Sequence, residues 1–139
     1  MAIDIGEKRC GLAISDPQCK VATPLDVVTL SEAVNNTGAF ARAIEDWEPE
    51  LLVCGLPKSL SGEEGAQARR IRAIAGQISR SCGIAHEFAD ERLSSAEARE
   101  ALRDMGYDGK QMKGKVDMLA ASLFLQSWID AQRGDASAP

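Results

Sequence analysis

The sequence predicts an α/β domain on one mixed five-stranded sheet with helices on its faces, in the order βββαβαβα. Three observations predict it. Apolar runs at 2–5, 10–15 and 21–30 are joined by short turns, as in an antiparallel meander. Later apolar runs at 51–54 and 84–89 each follow a helical stretch, as in parallel strands added by right-handed crossovers. A long apolar stripe at helical spacing closes the chain.

Each element has its own signal. Gly6-Glu7-Lys8-Arg9 reads as the hairpin connection between the first two strands, and Asp16-Pro17 as the next turn. Residues 21–30 are rich in β-branched side chains, with Pro24 marking an edge strand, because proline cannot donate to a ladder. Phe40, Ala43, Ile44 and Trp47 share one helix face, and Pro49 stops that helix. The run 51–54 ends in Gly55-Leu56-Pro57 and reads as a strand buried on both faces. Ser61 and Glu64 have capping-box spacing before a helix whose apolar face is Ile71, Ile74, Ala75, Ile78 and Cys82. Ser94 and Glu97 repeat that spacing before a helix to about Met105, and 106–114 reads as a polar loop. In the last helix Val116, Leu119, Ala120, Leu123, Phe124 and Trp128 form the stripe. Residues 1–133 read as one domain and 134–139 as a disordered tail.

At 139 residues and 45% apolar content, the chain suits one domain with a real core. Its net charge of −5 argues against polyanion binding by a basic surface alone. It leaves room for a nucleic-acid enzyme whose acids are neutralised locally by a metal. The four cysteines show no C-x-x-C spacing and His86 is the lone histidine, which argues against a structural zinc site. Cys10 and Cys54 lie in apolar strands, as buried thiols do in a reducing compartment. With no signal-peptide pattern and no membrane-length apolar run, the expected address is cytoplasmic.

Asp4 poses the chemical question, because a carboxylate inside an apolar strand is costly to bury without a partner. In such a sheet, ligands gather beyond the carboxyl ends of the parallel strands. Asp90 and Glu91 follow the fifth strand there, and Asp117 sits in the first turn of the last helix. If that helix packs on the first strand, Asp4, Glu91 and Asp117 converge. Ala120 and Ala121 are small enough to permit it. Three clustered carboxylates repel, and a hard cation such as Mg2+ or Mn2+ relieves the repulsion. Such ions activate water and stabilise the leaving oxygen of a phosphodiester, with no catalytic histidine or cysteine required.

The stretches AIDIGEKRCGLAISD, LLVCGLPKSLSGEEGAQARRIRAIA, DERLSSAEA and KVDMLAASLFLQSWID resemble the YqgF/RuvX family of pre-16S rRNA nucleases, also described as Holliday-junction-resolvase-like. They run in the family's order and cover nearly the whole chain. The resemblance implies an RNase H-like fold, a metal-dependent endonuclease, a role in maturing the 5′ end of 16S rRNA and a cytoplasmic setting. It places the motif acids on Asp4, Glu91 and Asp117, with Asp90 an unranked neighbour. Two features depart from the pattern: only three residues precede Asp4, and Lys58-Ser59-Leu60-Ser61 differs from the family's usual loop.

Ordinary roles stand beside the functional ones. Asp4 alone could reach solvent at a strand end, Asp117 alone could serve the helix dipole, and Glu91 alone could be a solvated loop acid. Lys8, Arg9, Arg92 and Lys115 are the expected substrate-binding residues, with solubility as their ordinary role. Arg69, Arg70 and Arg72 read as an exposed helix face. Trp47 and Trp128 read as core, which argues against a base-stacking platform. The expected partners are pre-rRNA or branched DNA, with ribosomal precursor particles in view, for a monomer or homodimer. The rival readings are a non-catalytic RNA- or ribosome-binding module, a junction resolvase, and an actin-like ATPase fragment, for which the chain is too short.

Overall fold

The computed structural model describes residues 1–57, 65–90, 100, 103–104, 106 and 115–137. Its strands are β1 (Ala2–Ile5), β2 (Arg9–Ser15), β3 (Ala22–Thr29), β4 (Leu52–Leu56) and β5 (His86–Asp90). They form one sheet in the order β3-β2-β1-β4-β5. β1 pairs antiparallel with β2, and β2 with β3, which is the expected meander. β4 pairs parallel with β1, and β5 parallel with β4. This is the mixed sheet of the RNase H-like fold. Pro24 lies on edge strand β3, beside a bulge that passes over Leu25: Leu12 faces Asp26 and Ala13 faces Pro24.

Strand alternation divides the molecule into two faces. Ile3, Ile5, Cys10, Leu12, Ile14, Leu52, Cys54 and Leu56 point one way, against Ala33, Phe40, Ala68, Ile71, Ala75 and Ile78. That face is covered by helices α1 (Leu30–Asn35), α2 (Gly38–Trp47) and α3 (Ala66–Cys82). Ala2, Ala13 and Val53 point the other way, against Ala121, Phe124, Leu125 and Ile129 of α4 (Lys115–Ser137). The second face is built from small residues, so one helix can lie close across it. Asp4 alternates with Ile3 and Ile5 and therefore belongs to the α4 face.

Several expectations change. The third apolar run ends at Thr29, and a short helix follows it. Thr29 caps α1 in a full capping box with Glu32, whose carboxylate also accepts from the Ala39 amide at 2.7 Å. These bonds hold the Glu32 carboxyl below its usual range. α3 begins at Ala66 after Gly65, while Ser61 and Glu64 lie outside the described residues, as do Ser94 and Glu97. Trp47 is not core: it is 50% exposed, because α2 ends there and turns away through Glu48 in a left-handed conformation. The α4 stripe is borne out at Ala120 and Phe124 and shifted elsewhere. Ala121, Leu125 and Ile129 are buried, while Val116, Leu119 and Leu123 are half-buried. The backbone of α4 continues to Ser137, so the tail expected from Gly134 starts out helical.

Among the described residues, no helix is long and apolar enough to cross a membrane.

Candidate active site

The carboxyl ends of β1, β4 and β5 lie side by side, at Ile5, Leu56 and Asp90. The chain leaves β1 through a tight turn, Gly6-Glu7-Lys8-Arg9, and returns as β2. The Gly6 amide donates to the Arg9 carbonyl at 2.9 Å, and the Leu30 amide at the start of α1 donates to the Lys8 carbonyl at 2.9 Å. A Cβ on Gly6 would stand 2.7 Å from the Arg9 carbonyl oxygen, so the turn closes this tightly only on glycine.

Asp4 is half-buried, and its register partner on β2 is Gly11. The first turn of α4 rests on that glycine. A Cβ there would come within 2.2 Å of the Asp117 carbonyl and 2.5 Å of the Met118 amide. Gly11 therefore lets the helix backbone touch the sheet and sets Asp117 over the strand beside Asp4. Both charges reach the Cys10 thiol below the sheet. Burial is the main cause that pushes that thiol up to about 12, with smaller contributions from Asp4 and Asp117 in the same direction. Asp117, in the first helical turn, also lies where the α4 dipole favours an anion.

Gly6, Glu7, Lys8, Arg9 and Asp117 line an open cleft. Lys8 and Arg9 are exposed at its rim, as a phosphate contact requires. Lys115 opens α4 two residues before Asp117 and is half-buried. Asp90 ends β5, paired with Leu56, and is exposed. Ala89 packs on the α4 face, so alternation sends Asp90 to the opposite side from Asp4 and Asp117. Glu91 and Arg92 lie outside the described residues. The cleft thus brings together Asp117, Lys8 and Arg9, and Asp4 pairs with the glycine on which the Asp117 peptide rests. Among the described residues, no group of three or more His, Cys, Asp or Glu side chains is arranged to hold a metal.

Two contributors escape the sequence pattern. Gly11 carries a usable signal, since a glycine inside an apolar strand often marks a close backbone approach. Arg70, expected on an exposed helix face, is half-buried. Its Nη2 donates to the Gly6 carbonyl at 3.1 Å. Arg72, by contrast, stacks its guanidinium over Phe88 at 4.7 Å.

The family model described as "RuvX: Holliday junction resolvase" matches residues 1–131. The chain belongs to the RuvX family. Among this RuvX protein's relatives is a "Putative pre-16S rRNA nuclease" of Anaeromyxobacter sp. (strain Fw109-5), 38% identical over 95% of this chain and 96% of the relative. A protein of the same name from Chloroflexus aurantiacus (strain ATCC 29366 / DSM 635 / J-10-fl) is 33% identical over 97% of this chain and 88% of the relative. The Fowlpox virus resolvase, solved in complex with its substrate Holliday junction DNA, shares the fold. Its TM-score is 0.53 over 94% of this chain and 95% of that one, at 9% identity.

Proposed function

We propose that this RuvX protein is a divalent-metal-dependent endonuclease that cleaves phosphodiester bonds in the 5′ flank of precursor 16S rRNA in the cytoplasm. The observation that supports it most is the seating of α4 on Gly11, which puts Asp117 beside Asp4 at the carboxyl edge of the parallel strands. Two half-buried carboxylates of this kind fit Mg2+ or Mn2+, which prefer oxygen donors. Asp4 and Asp117 would hold the metal, with Glu91 as the third donor supplied from the segment after β5. Held by these residues, such an ion would supply an activated water and charge stabilisation for the leaving oxygen. Lys8 and Arg9 take phosphates of the strand at the cleft rim, with Lys115 and Arg92 as further contacts. An overall charge of −5 then matters little, because the strand meets a locally cationic rim.

The test is cleavage of a labelled precursor rRNA fragment in Mg2+ or Mn2+. Asp4→Asn should lower the rate by more than about 100-fold, as loss of a metal ligand does, with folding unchanged. Equal rates for the two proteins would remove Asp4 from the chemistry. The family description favours a second reading, cleavage of branched DNA. A substrate panel of single strands, duplexes, four-way junctions and rRNA precursors separates the two: the preferred substrate is the one whose cleavage Asp4→Asn abolishes.

A further inference from the structure

We infer that Arg70 is a positioning residue for the phosphate-contacting turn. It holds Gly6 so that Lys8 and Arg9 present their charges to the cleft, although Arg70 does not itself line that cleft.

The turn is closed on itself by the Gly6 amide and the Arg9 carbonyl, and it is tied to its surroundings at Lys8 and at Gly6, where the Gly6 backbone also meets the Cys10 thiol. Its Lys8 carbonyl is tied to the Leu30 amide by backbone, and its Gly6 carbonyl is tied to the Arg70 side chain. The Arg70 bond is the one that holds the Gly6 carbonyl by a side chain from another element. Arg70 makes it at a cost: Nη1 of the same guanidinium is buried and has no hydrogen-bond partner among the described residues. A helix arginine with no such duty would turn that nitrogen to water, where its donors are satisfied. Here the side chain is directed inward, its charge reaching Cys10 from the α3 side while Asp4 and Asp117 act on the same thiol. The cleft lining comprises Gly6, Glu7, Lys8, Arg9 and Asp117, so any effect of Arg70 on a bound strand passes through the turn.

The inference rests on the nucleic-acid-binding part of the proposed function, and its test separates the two. Binding of the labelled rRNA fragment and of a four-way DNA junction is measured in Ca2+ across a salt series. The proteins are wild type, Arg70→Gln, Arg70→Lys, Lys8→Ala/Arg9→Ala, and that pair combined with Arg70→Gln. Arg70→Gln should weaken binding roughly tenfold and flatten the salt dependence, whose slope falls by about 0.7–0.9 for each phosphate that the protein no longer neutralises. Arg70→Lys, which can still donate to Gly6, should recover most of both. In the Lys8→Ala/Arg9→Ala background, Arg70→Gln should add little, because its route is already gone. Amide exchange at Gly6 should quicken in Arg70→Gln, with the inner strands unchanged.

Wild-type binding by a folded Arg70→Gln protein would overturn the inference. So would a full additional loss in the combined variant, which would mean that Arg70 meets the strand directly. If Arg70→Gln does not fold, Arg70→Met decides in its place: a folded Arg70→Met protein with wild-type Gly6 exchange and salt slope overturns the inference. Cleavage by wild type with no coupling to Arg70 defeats this inference alone. Coupling without cleavage by wild type defeats the nuclease reading alone. No binding by wild type defeats both.

Discussion

Gly11 is the residue on which the site turns. The space its side chain would occupy is filled by the Asp117 peptide, so Gly11→Ala has no side-chain end to push aside and must move backbone. The variant should lose about 1–3 kcal/mol of stability, as overpacked sites do, measured by urea unfolding. On the proposed reading, its cleavage should drop further than that loss explains, because Asp117 moves away from Asp4. Wild-type activity in a folded Gly11→Ala protein would show that the spacing of the acids is not critical. The cysteines divide in the same way. Cys10 and Cys54 are buried while Cys19 is exposed. At pH 8 a disulfide reagent should label Cys19 rapidly and reach Cys10 and Cys54 only on unfolding, because the thiolate that reacts is suppressed inside the core.

At the scale of elements, α1 shows how a six-residue helix survives. It is too short to be stable alone, but Thr29 and Glu32 cap it reciprocally and Glu32 bridges onward to α2. Thr29→Ala should cost about 0.5–2 kcal/mol, read as a lower thermal midpoint. The same element shows what a sequence discloses and what it hides. Strands announce themselves through continuous apolar runs, and Pro24 names the edge correctly. The α1 signal, Thr29-x-x-Glu32, is hidden because the β-branched run 21–30 flows into it without a break. In α4 periodicity chooses Val116, Leu119, Ala120, Leu123, Phe124 and Trp128, and of these Ala120 and Phe124 are buried. The small residues of the opposing sheet face bury Ala121, Leu125 and Ile129 beside them, a tertiary choice between neighbouring stripes of the same helix. At the site, Asp4 and Asp117 are legible from their positions at element ends. Arg70 is not, because helix spacing places it among exposed arginines and its target is a backbone carbonyl 64 residues away.

For the molecule as a whole, two buried thiols beneath the sheet tie stability to alkaline pH. Burial pushes both Cys10 and Cys54 up to about 12, against an ordinary value of 9.0. The unfolded chain releases those protons above pH 9 while the folded chain keeps them. Their contribution is therefore complete below about pH 9 and is lost as pH rises toward 12. Urea midpoints at about pH 8, 9 and 10 should fall in that order, and Cys54→Ala should show a shallower decline from a lower start. An equal slope in both proteins would remove Cys54 from the effect.

The seating of α4 on β2 also orders events in time. Asp4 is made with the first strand of the sheet, and Asp117 arrives only with α4, after all five strands have been synthesised. A growing chain on the ribosome thus carries one carboxylate without its companion. A cutter of ribosomal RNA built this way would be harmless to the machine that makes it until α4 has emerged and folded down.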